Sequence, residues 1–132
     1  MLSRVLLSLF GLVHIANGVF MVFDAEGWYR AAPGVSQTGP PNHHFIVDIG
    51  LAFIASGAGM ALAFRGGRAA ASFVLAGATW PLLHALFHIS GWLVEGFPHD
   101  PRVQATEALG VVSIGVLGFA LAGFHARKQG AI

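Results

Sequence analysis

His84 and His88 stand four residues apart in Thr79-Trp80-Pro81-Leu82-Leu83-His84-Ala85-Leu86-Phe87-His88-Ile89-Ser90-Gly91-Trp92, inside an apolar run long enough to cross a bilayer. A spacing of four puts both imidazoles on one helix face. Ionisable side chains at membrane depth are costly, face the bundle interior and mark functional sites by default. Other apolar runs carry His14, Asp48 with His44 one turn before it, and Glu107.

Imidazoles beside carboxylates are ligands of copper, non-haem iron and zinc, and the core of a helical bundle is where facing helices assemble such sites. On that reading His84 and His88 hold one transition-metal ion as a pair, with His44, Asp48 or Glu107 completing its sphere. The Glu-x-x-His pattern of di-iron bundles is absent. Alternatively, His14 and His84 serve as axial ligands of a b-type haem, with glycine-rich faces leaving room for the porphyrin. Two further readings stay open: a proton relay or polar pocket for a small molecule, and structural pairing of His44 with Asp48 and His88 with Glu107. His99 and His125, at span ends, are expected to be solvated.

Positioning these residues is the work of four apolar segments. The chain has 132 residues, 55% hydrophobic and only 10% charged, with a mean hydropathy of +0.70. A soluble domain carries about 25% charged residues. The expectation is one all-α integral membrane domain over 1–132, with spans at 2–23, 45–64, 69–94 and 105–124, each near the ~20 residues that cross the hydrocarbon core. The first run is read as a span and not a secretory leader, because it is long and contains His14 and Asn17. A net charge of +1 argues against nucleic acid as a partner. With no cysteine, thiolate ligands and thiol nucleophiles are excluded.

The link Arg65-Gly66-Gly67-Arg68 permits only a tight turn, so the pattern is a four-helix transmembrane bundle, up-down-up-down. Arg4, Arg65, Arg68, Arg127 and Lys128 lie on the terminal side, against Arg30 and Arg102 on the other. The positive-inside rule makes both termini cytoplasmic. At 1.5 Å of rise per residue, Asp48, Glu107 and His88 lie roughly 6 Å below the outer end of their spans, and His14 and His84 about 13 Å. A cluster fed by all four helices in the outer half follows. The loop 24–44, with Trp28, Tyr29 and a Pro/Gly-rich run to Pro41, is expected to fold over the bundle mouth. Pro81 cannot donate to the carbonyl of Gly77, so a kink is expected there, with Thr79 a candidate donor to the freed carbonyl.

The segments Trp28-Tyr29, Pro33-Gly34-Val35, Thr38-Gly39-Pro40, Asn42, His44-Phe45 and Asp48-Ile49-Gly50, followed by Leu83-His84-Ala85-Leu86-Phe87-His88, resemble small bacterial four-helix membrane proteins, broadly DoxX-like. The likeness covers most of the chain. It implies a four-helix fold in the bacterial inner membrane and an association with redox and quinone-linked systems, which favours oxidoreductase chemistry; joined to the metal reading of the residues, the expectation is a metal-dependent membrane oxidoreductase. The rival expectation is a non-catalytic accessory subunit, packed as a homo-oligomer or against partner membrane subunits through its glycines and aromatics.

Overall fold

A computed structural model covers residues 1–132. It is all-helical, and four helical stretches are long and apolar enough to cross a membrane: Leu2–Phe23, His43–Phe64, Arg68–Glu95 and Pro101–Lys128. Only 23 of the 132 residues are buried, and most apolar side chains stay at least partly exposed, as suits a lipid solvent.

Helix α1 (Leu2–Phe23) stops at Asp24, whose carboxylate accepts from the Gly27 N–H at 2.8 Å and so caps the short helix α2 (Ala25–Ala31). Asn42 caps α3 (His43–Ala61) in the same way, accepting from the Phe45 N–H at 3.1 Å. A short 3-10 stretch, Leu62–Phe64, closes α3. The following turn needs positive φ at both Gly66 (68°) and Gly67 (84°), a conformation that side chains with a Cβ rarely adopt. Helix α4 (Arg68–Glu95) has 28 residues, about 42 Å of rise against a core of about 30 Å. The last span begins with α5 (Pro101–Ala105), capped by Asp100 with proline at its first turn, runs through a π-helical segment (Thr106–Ser113) and ends as α6 (Ile114–Lys128).

Glycines let the backbones touch. A Cβ on Gly11 would lie 2.6 Å from Gly57 O on α3, and Gly18 meets Gly50 and Ile54. A Cβ on Gly77 would lie 2.6 Å from Ser56 O, and Gly115 of α6 rests on Pro81. Between α1 and α3, rising numbers on one helix meet falling numbers on the other, Gly11 lying by Gly57 and Gly18 by Gly50. Such small-residue contacts are the usual route to close helix packing in lipid. The end of the bundle where Arg4 approaches Gly66 is filled by Leu7, Met60, Val74, Ala78 and Ala122, all fully buried. The opposite end is different: Met21, Ala25 and Ile46 are packed by the rings of Trp28, Tyr29 and Phe53.

Helix α4 continues unbroken through Pro81. The carbonyl that proline leaves without a helical donor, Gly77 O, accepts from the Ser56 hydroxyl on α3 at 2.7 Å. Thr79 instead donates to Leu75 O within its own helix.

Candidate functional site

The His84 and His88 rings stack with centroids 5.0 Å apart and 18° between their planes, and their Nε2 atoms are 3.1 Å apart. One of the two Nε2 atoms must carry a proton for that contact to be a hydrogen bond. Through its other nitrogen, Nδ1, His88 faces Glu107 Oε1 at 3.4 Å. The second carboxylate oxygen of Glu107 accepts from the Trp92 indole N–H at 2.6 Å. The resulting chain runs Trp92, Glu107, His88, His84, with both His88 and Glu107 largely shielded.

Glu107 projects from the π-helical segment, where the Ser113 hydroxyl donates to Ala108 O at 2.7 Å. Single π turns cost helical regularity and are found frequently at functional sites. No pattern in the sequence announces this one, and Trp92 was equally unmarked as the partner of Glu107.

His14 is buried on α1, and its Nδ1 lies 2.8 Å from Phe10 O. A carbonyl only accepts, so for that contact to be a hydrogen bond Nδ1 must carry the proton. Phe53 of α3 packs on the rings of both His14 (5.4 Å) and His84 (5.9 Å). The two histidines considered for a haem are therefore neighbours of one phenylalanine and make no hydrogen bond to each other.

His44 and Asp48 stand apart from the rest. They pair with each other at 3.3 Å on the outer surface of α3, with side chains 89% and 56% exposed. No group of three or more His, Asp and Glu side chains is placed to hold one metal ion. The sequence-level expectation of solvated span-end histidines fails at His125, which is 2% exposed with Nε2 lacking a partner.

Two cavities meet at the histidines. One, of about 560 Å³, is walled by aromatic side chains, among them Trp28, Tyr29, Phe45, Trp80 and Phe87. The other, of about 490 Å³, is more polar and reaches His14, Asn17 and Glu107. Met21, Trp28, Ile49, His84 and His88 belong to both walls. The loop after α1 roofs them: Trp28 Nε1 donates to Asn17 Oδ1 at 2.9 Å, and the Tyr29 hydroxyl donates to Gly39 O at 2.6 Å. Gly34, at φ 86°, packs on Val103 and ties the roof to α5.

Compared with protein-family models, with curated proteins and with solved structures, the chain matches none.

Proposed function

We propose that the protein is a multi-pass protein of the bacterial inner membrane, its four spans running up-down-up-down with both termini cytoplasmic. The opposed registers of α1 against α3 and of α3 against α4 support the alternation, and the excess of Arg and Lys at the terminal end supports the orientation.

In the outer half of that bundle, we propose, the protein binds a small, largely apolar molecule with one polar group set against His84, His88 and Glu107. The observation that carries this reading is the meeting of two cavities at the same two imidazoles. Each falls within the roughly 300–1,000 Å³ of small-molecule sites, with apolar walls and a few polar groups to fix orientation. A carboxylate linked to two imidazoles can also pass a proton to or from the bound polar group, which suits acid–base work there. The DoxX-like resemblance favours oxidoreductase chemistry on such a ligand.

Binding of 4-methylphenol to the protein in nanodiscs tests the site. Saturable binding is expected in the wild type, weakened about tenfold by His84→Gln or Glu107→Gln, the scale of one lost hydrogen bond to a charged group. Partitioning that never saturates and ignores both substitutions would remove the reading.

The 3.1 Å separation favours one second reading. Two nitrogens on a tetrahedral ion, each about 2.0–2.1 Å from it, stand about 3.3 Å apart. His84 and His88 thus fit two corners of the coordination sphere of a copper, iron or zinc ion, which would supply Lewis-acid or redox chemistry there. Glu107, on the far nitrogen of His88, would orient that ring as carboxylates do behind metal-bound histidines. Elemental analysis of the wild type beside His88→Gln tests it, with bound metal lost in a variant that stays folded.

A further inference from the structure

The aromatic cavity has a closed roof and an open side. Above it lie Val35, Thr38, Pro40 and Pro41, held by the Tyr29 bond to Gly39. Towards the terminal end the α3 and α4 backbones touch, through Ser56 and Gly59 against Phe73 and Gly77. Further out, rings stand between the same two helices, Phe53 meeting Trp80 edge-on with centroids 6.2 Å apart. The pair therefore splays into a cleft. Phe45, Leu83 and Phe87 line the cavity and are also 61%, 57% and 72% exposed on the outside of the bundle. In a spanning helix, that outside is lipid. The imidazoles of His84 and His88 line the same cavity, the polar groups that this apolar cleft leads to.

We infer that this cleft is a lateral port, which admits from the bilayer an amphiphile with a flat polar head and a single hydrocarbon tail. The head reaches His84 and His88, stacked among the rings of Trp28 and Trp80, and the tail passes out between Phe45, Leu83 and Phe87 into lipid. Aromatic walls select a flat head, while an apolar mouth continuous with lipid spares the tail any contact with water. The inference rests on the ligand-binding reading above and adds to it the class of ligand and its route.

The test compares 4-octylphenol with 4-methylphenol, which share a head and differ in the tail. Binding is measured in nanodiscs, with concentrations expressed per lipid so that simple partitioning cancels. Leu83→Trp narrows the mouth at a lipid-facing position, where folding is little affected. It should weaken 4-octylphenol about tenfold more than it weakens 4-methylphenol, the equivalent of a couple of buried methylenes. A nitroxide on Phe87→Cys, free of background because the chain has no native cysteine, should show the oxygen accessibility of a lipid-facing site. It should lose mobility when 4-octylphenol binds and stay unchanged with 4-methylphenol. If 4-methylphenol saturates the site while Leu83→Trp affects both phenols equally, or the nitroxide reads as water-exposed, the port is wrong and the pocket survives. If neither phenol saturates, the pocket and the port fall together.

Discussion

Ser56→Ala offers a quantitative check on the packing that shapes the site. In an unbroken helix Gly77 O would accept from the N–H of residue 81, and Pro81 has none. The Ser56 hydroxyl, 2.7 Å away, takes that place, and Ser56 is only 5% exposed, so water is not at hand to replace it. Hydrogen bonds between membrane helices average about 0.6 kcal/mol and reach about 1.7 kcal/mol. This one belongs near the upper end, because removing the donor strands a buried acceptor. Ser56→Ala should cost about 1.5 kcal/mol in the native sequence. In a Pro81→Ala background the restored N–H supplies the carbonyl, and the same change should cost about 0.5 kcal/mol or less. The double-mutant cycle therefore predicts a coupling of about 1 kcal/mol, read by equilibrium unfolding in mixed micelles. Additivity within about 0.3 kcal/mol would refute the account of how α3 supports α4 below the histidines.

Gly57→Val should be among the most damaging single changes: the added side chain meets Gly11 O and Ile15 of α1, and overpacking costs about 1–3 kcal/mol or more in the same unfolding assay. His44→Ala and Asp48→Asn should each shift stability by less than about 0.5 kcal/mol, as for an exposed i,i+4 pair, and should leave 4-methylphenol binding unchanged. A loss of binding in either would place the pair in the site after all. Single cysteines at Ala31 and Gly67 should label from opposite sides of intact cells, and labelling of both from one side would end the proposed topology.

The four long apolar helices were legible because hydropathy sets them: 2–23 coincides with α1, and the second and the last begin earlier than their apolar runs, at capping residues. Asn42 starts α3 two residues before the apolar run, and Asp100 with Pro101 starts the last span four residues early. Pro81 announced a free carbonyl, and its spacing suggested a local donor in Thr79. The true donor, Ser56, lies 21 residues away in the chain and becomes a neighbour only through the glycine contacts between α3 and α4. The i,i+4 spacing of His44 and Asp48 correctly suggested a pair, yet their helix is apolar all round and gives no sign of which face turns inward. The π-helical turn that aims Glu107 at Trp92 and His88 departs from the regular 3.6 period on which sequence reading depends.

The central claim, that His84 and His88 meet a bound molecule in a lipid-accessible cavity, is tested most directly by nitrogen NMR of histidine-labelled protein in bilayers. The resonances report which ring nitrogen carries a proton. Addition of 4-octylphenol should shift His84 and His88 and leave His14 as the Nδ1–H form fixed by Phe10 O. Resonances of His84 and His88 that stay unmoved at saturating 4-octylphenol would contradict the account.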